Sequence, residues 1–199
     1  MELVSRIIVL ASSSPRRSDL LNAHGVPFEI VLPEAEELSD CSISPVELVE
    51  RNAQIKARDV SSRMPDRIVV GADTVVAFGG RVFGKPSSWE EAEEMLGILD
   101  GQTHEVLSGV CIHHAVTARE VLFTESTKVT FHSRTAEDRR SYLKRIHPLD
   151  KAGSYSAQCD DGFMIKEIRG LVSNVVGLPV EKLLPKLTDF TNQFAISGF

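Results

Sequence analysis

Apolar and polar positions along this chain switch between two periods, and the switches mark its elements. Ile7-Ile8-Val9-Leu10-Ala11 is a short apolar, β-branched run, which reads as a buried strand. Ser14-Pro15 then supplies an N-cap followed by proline at the first helical position. Leu20, Leu21 and Ala23 are expected on that helix's inner face, and Gly25 ends it. Phe28 to Leu32 reads as a second strand, followed by an acidic loop with Glu34, Glu36 and Glu37. Ser44-Pro45 opens another helix, with Val46, Leu48, Val49, Ala53 and Ala57 at helical spacing. Arg67 to Phe78 is a long strand, Gly79-Gly80 a hairpin turn, and Arg81-Val82-Phe83 the return. Ser88 and Glu91 form a capping box for a helix through Leu99.

Two long β-type runs follow, His104 to Ala115 and Val121 to His132, and then a helix from Thr135 to Ile146. Asp150 to Gly162 has no clean period; Phe163 to Ile168 reads as a strand and Leu178 to Leu187 as a closing helix. Strands alternate with helices around an antiparallel middle. This predicts an α/β fold with a mixed β-sheet flanked by helices, in a single domain over residues 1–199.

Composition narrows the function classes. Hydrophobic residues make up 42% of the 199 and charged residues 25%, close to the globular average. No apolar run approaches the roughly 18–20 residues a membrane span needs. The start, Met1 to Arg6, is too short and polar for a signal peptide, so the expected compartment is cytoplasmic. The formal net charge of −6 argues against binding long nucleic acid, which needs a basic stripe, but permits a small anion held by a local cation cluster. Cys41, Cys111 and Cys159 fall in no metal-ligand spacing and are expected as reduced thiols. His113 and His114 are adjacent on a strand, point to opposite faces and cannot chelate together.

Four stretches could carry chemistry. In Ser12-Ser13-Ser14-Pro15-Arg16-Arg17 a buried strand runs into a helix N-terminus, where free N–H groups and guanidiniums suit phosphate. The same residues could equally be a serine cap with two solvated arginines. In Val69 to Val76, Asp73 sits inside an apolar run, where a lone carboxylate is costly unless paired, hydrogen-bonded or on a metal. It would be a metal-binding or water-activating acid at a strand end, or an acid at a bulge bonded to turn N–H groups. The small Gly71 and Ala72 leave room for something to approach the backbone. Lys56 and Lys85, each taken alone, read as solvated, and Lys85 belongs to no P-loop. Asp150 to Gln158 could wrap a base or be an ordinary surface connection.

Together these pieces resemble the Maf family of nucleoside triphosphate pyrophosphatases. The resemblance runs from Leu10 to about Leu187 through Leu10-Ala11-Ser12-Ser13-Ser14-Pro15-Arg16-Arg17, Gly71-Ala72-Asp73-Thr74, Gly84-Lys85-Pro86, Asp150-Lys151-Ala152-Gly153 and Val176-Gly177-Leu178-Pro179, in that order. It implies a cytoplasmic, often dimeric enzyme with a cleft between two lobes. Such an enzyme cuts a nucleoside triphosphate between the α and β phosphates with a divalent cation, magnesium, manganese or cobalt. Asp73 matches the family's catalytic acid and would bind the metal, activate water, or both. Ser12, Arg17, Lys56 and Lys85 match residues lining its phosphate site, and Glu37 or its neighbour Glu36 an acid near the metal.

Arg16, Thr74 and Gln158 match the branch acting on dTTP and UTP rather than the branch acting on 7-methyl-GTP. A glutamine amide, both donor and acceptor, suits the edge of thymine or uracil. Ser156 stands where the family has glycine, and Cys159-Asp160-Asp161-Gly162 replaces a glycine-rich stretch, which sets two added acids close to where the base or sugar should sit. Two other readings compete: a nucleotide-binding regulator of cell division without turnover, and an aspartyl phosphatase, whose Asp-x-Asp-x-Thr signature is missing.

Overall fold

In the computed structural model, residues 7–39 and 42–196 are described, with side chains through residue 192. Cys41 lies outside them. Seven strands form one mixed sheet in the order β2-β1-β3-β5-β6-β7, with β4 paired to β3 off that path. β1 (Ile8–Ala11) runs parallel to β2 (Phe28–Ile30) and to β3 (Val69–Phe78). β4 (Arg81–Phe83), β5 (Thr103–His114), β6 (Arg119–Phe131) and β7 (Ile165–Arg169) pair antiparallel.

β3 organises the sheet. Along one side it pairs with β5 from Val69 to Ala77 without a register shift. Along the other, β1 covers it only to Gly71 and β4 resumes only at Val76. Residues 72–75 of β3 therefore form an uncovered edge inside the sheet. Asp73 lies there, in mid-strand in an unbroken ladder, so neither a strand end nor a bulge describes it. The strand that ends beside it is β1.

The two faces are covered differently. On one lies α2 (Pro45–Arg63), packed on Val9, Ala11, Val69, Val75 and Cys111. Two glycines set its depth. A Cβ on Gly71 would come within 2.4 Å of the Ala53 carbonyl oxygen, and one on Gly109 within 2.3 Å of that of Val49. What the small residue at 71 admits is thus a helix backbone. The opposite face holds two apolar clusters. One gathers Leu21 of α1 (Pro15–Ala23) and Leu183, Leu187 and Phe190 of α6 (Val180–Ile196) over Leu10, Val70 and Ile112. The other gathers α3 (Trp89–Leu99) and α4 (Ala136–Ile146) over Val76, Val106 and Val129. α5 (Val172–Val176), which the hydrophobic pattern does not show, lies between β7 and α6.

Several local expectations need adjustment. Ala23 and Val46 are exposed, because the helical faces that pack are narrower than the pattern implies. The Ser88 hydroxyl accepts from Glu91 N–H as expected, but Glu91 reaches back to Ser87, whose N–H and hydroxyl both donate to it. The closing helix runs on through Pro185 to Ile196, well past Leu187. Among the described residues no helix is long and apolar enough to cross a membrane.

Candidate active site

A cavity of about 660 Å³ opens at the uncovered edge of β3 and extends onto both faces of the sheet. It brings together Ser12, Arg16, Arg17, Glu37, Lys56, Asp73, Thr74, Lys85 and Gln158, while Glu36, the alternative to Glu37, does not line it.

The acid comes first. Asp73 and Lys56 are both buried, and the Lys56 ammonium donates to Asp73 Oδ1 at 2.7 Å. Lys56 also pairs with Glu37 at 2.9 Å and donates to the Ala72 carbonyl oxygen at 3.4 Å. Glu37 is the acid of that loop which reaches the site. The other Asp73 oxygen, Oδ2, accepts from Asn52 Nδ2 at 3.2 Å. Asn52 is pinned in turn, since its Oδ1 accepts from Leu38 N–H at 2.7 Å and its Nδ2 donates to Leu38 O at 3.1 Å. It thereby fastens the acidic loop to β3. Asn52 precedes Lys56 by one helical turn, so both project from one face of α2. That i, i+4 spacing was the signal in the sequence, and reading Lys56 alone missed it.

Arg17 is the second centre. It is buried, and its guanidinium donates to three neutral acceptors: Gly177 O at 2.9 Å, Ser12 Oγ at 3.0 Å and Thr74 Oγ1 at 3.3 Å. Burial holds it below its usual arginine range, while the fields of Asp73 and Glu37 act the other way. A buried cation bonded to neutral groups and open to a cavity is ready for an anion. Ser12 also accepts from Ser14 N–H at 3.2 Å, which shapes the turn into α1, and Ser14 makes no side-chain cap. Lys85 is exposed on the cavity wall.

The remaining residues differ in what they offer. Arg16 is held at 2.5 Å by the Asp150 carboxylate and at 2.8 Å by the Asp150 carbonyl oxygen, which ties α1 to the loop leading to Gln158. The Thr74 hydroxyl is engaged by Arg17, Ser108 and Gly177 O, so it faces its neighbours. Gln158 is exposed on the wall. Tyr155 lies in that wall as well; burial raises its phenol, and its hydroxyl meets His104 Nε2 at 3.0 Å. The two added acids turn elsewhere. Asp160 accepts from the N–H groups of Gly162, Met164 and Ile165, and Asp161 faces Arg145 at 3.7 Å. Neither they nor Cys159 line the cavity, whereas Ser156 does.

A profile of the family described as Maf-like protein matches residues 7–190, a span that includes every residue of this site. The chain belongs to the Maf family. Among curated relatives, a dTTP/UTP pyrophosphatase of Bacillus cereus (strain AH820) is 45% identical over 185 residues, covering 93% of this chain and 96% of that protein. A dTTP/UTP pyrophosphatase of Bacillus anthracis shows the same identity and coverage. One of Bacillus cereus (strain B4264) is 46% identical over 187 residues, with the same coverage of each chain.

Proposed function

We propose that this Maf protein hydrolyses dTTP and UTP to the nucleoside monophosphate and pyrophosphate. One observation carries the reading: buried Arg17 and the buried Lys56–Asp73 pair face one cavity across the uncovered edge of β3. This arrangement suits a polyphosphate beside a general base. The relatives' names supply the choice of substrate.

In this reading Ser12, Arg17, Lys56 and Lys85 hold the phosphates. Each charge-assisted contact is worth about 1.5–3 kcal/mol. Arg17 has guanidinium N–H groups left over after its three fixed bonds, and those bonds hold the fork in place before substrate arrives. Asp73 takes the proton from the attacking water, and the bridging oxygen between the α and β phosphates leaves in line with it. Lys56 keeps the Asp73 carboxylate oriented through the 2.7 Å bond.

The donors also fit a divalent cation. Asp73 and Glu37 present carboxylate oxygens that converge on a single ammonium, an all-oxygen set suited to a hard ion such as magnesium or manganese. No cluster of three or more acid, histidine or cysteine ligands occurs among the described residues, so substrate phosphates and water would complete the shell. Bound there, the ion would offset phosphate charge and acidify water. Gln158 reads the edge of the base. Arg16 and Thr74 act on selectivity indirectly, Arg16 through Asp150 and its loop, Thr74 through Arg17.

The test is a panel of dTTP, UTP, CTP, GTP and 7-methyl-GTP with magnesium or manganese, the products resolved by ion-exchange chromatography. Monophosphate and pyrophosphate, fastest from dTTP and UTP, are expected. A best rate with 7-methyl-GTP would overturn the substrate assignment. Binding without turnover would leave a nucleotide-binding regulator, and orthophosphate as first product would exclude a pyrophosphatase.

A further inference from the structure

The cavity reaches both faces of the sheet, and the alternation of β3 divides its lining into two sides, or chambers. Asp73 and Val75 face α2, while Thr74 and Val76 face α5 and the 148–158 loop. The uncovered edge at residues 72–75 joins the two sides. The second chamber contains the base-reading wall, with Tyr155, Ala152, Val175 and Gln158. The α2-side chamber has Asn52, Lys56 and Asp73 as a polar floor, and its walls are Leu38, Ile43, Pro45, Leu48, Val75 and Val82.

Those walls are apolar enough to cover the face of a second base. A nucleoside triphosphate has one base and occupies one chamber. Of the cations that suit phosphate, Arg17 stands beside Thr74 at the edge and Lys56 on the floor of the α2-side chamber. A polyphosphate carrying a nucleoside at each end would occupy both chambers, its phosphates crossing the strip of Arg17, Lys85 and Lys56.

We propose that the protein also cleaves dinucleoside polyphosphates, with the distal nucleoside in the α2-side chamber. This rests on the pyrophosphatase reading above. With P1,P4-di(uridine-5′) tetraphosphate, the oxygen of water bonds to the phosphorus nearest the uridine in the base-reading chamber. The bond from that phosphorus to its bridging oxygen breaks, and the electron pair leaves on the departing chain. The proton of the water passes to Asp73. The products are UMP and UTP, and the UTP is then cut to UMP and pyrophosphate.

The experiment compares UTP with this tetraphosphate for the unaltered protein, Val82→Trp and Ile43→Glu. Val82 and Ile43 are partly buried wall residues outside the phosphate strip. The unaltered protein is expected to cut the tetraphosphate asymmetrically, UMP and UTP appearing first. Filling or charging the α2-side chamber should lower its kcat/KM about ten-fold or more, the size of effect an apolar pocket commands, and leave UTP within about two-fold. UTP turnover without tetraphosphate turnover would overturn the proposal. So would a symmetric cut to two UDP, or an equal loss on both substrates in both variants. Loss of UTP turnover in the unaltered protein would instead refute the pyrophosphatase reading itself.

Discussion

Asp73→Asn is the most informative single change, and the structure says why it will not be silent. The carboxylate accepts at both oxygens, from Lys56 Nζ on Oδ1 and from Asn52 Nδ2 on Oδ2. An asparagine offers one acceptor and one donor. If its oxygen takes Lys56, its amide N–H₂ confronts the Asn52 amide N–H₂. Asn52 cannot turn over to relieve this, because both of its bonds to Leu38 would break. One lost bond and one unsatisfied buried donor together cost about 2–3 kcal/mol. For a chain of this size that lowers Tm by about 5–10 °C. Turnover should fall about 10²–10⁴-fold if Asp73 is the general base.

The double variant Asn52→Asp/Asp73→Asn separates the two effects. The new carboxylate at 52 accepts from Leu38 N–H and from the amide at 73, which removes the conflict between donors but gives up the bond that Asn52 Nδ2 donates to Leu38 O. Thermal unfolding should recover part of the lost Tm, while pyrophosphate release from UTP stays low. Near-normal turnover in Asp73→Asn would refute the role given to Asp73. Recovered turnover in the double variant would show that a carboxylate anywhere in the cluster suffices, and would refute the argument from position.

Two further outcomes are expected. Arg17→Lys keeps the charge but cannot reach Gly177 O, Ser12 and Thr74 at once, so kcat/KM for UTP should fall about 10–100-fold; unchanged kinetics would make Arg17 a scaffold residue only. His104 is buried, and desolvation lowers it to about 4 from an ordinary 6.5, so the unfolded chain binds a proton there that the folded one refuses. Its stabilising contribution is full above pH 6.5 and is lost as pH falls towards 4, by about 3 kcal/mol in all. Urea unfolding between those pH values should show this slope, and His104→Leu should flatten it.

Much of the fold is legible because the longer helices bury one stripe each and the central strands are long apolar runs buried on both faces. α5 escaped because five residues make too short a helix to show a period. At the site, motif order brought the residues together, but their partners could not be read. Arg16 and Asp150 are 134 positions apart, and Arg17 meets Gly177 across 160. Thr74 sits on an apolar strand, and the sequence does not reveal that its hydroxyl is taken by Ser108. The acids at 160 and 161 show the opposite failing. Their proximity to Gln158 in sequence suggested a place near the base, yet backbone donors and Arg145 turn them aside.

The glycines at 71 and 109 let α2 rest with its backbone almost on the sheet. Any side chain at either place would lift the helix, and Lys56 and Asn52 with it, away from Asp73. The opposite chamber is walled instead by a loop of short helical turns and coil, held to α1 by the Arg16–Asp150 pair. The two walls therefore differ in how freely they can change. On the reading proposed above, mutation can redraw the loop and with it the preferred base, while the acid–ammonium pair stays where two missing methyl groups put it. In evolutionary terms that reading puts the reaction and the choice of substrate on separate parts of the fold.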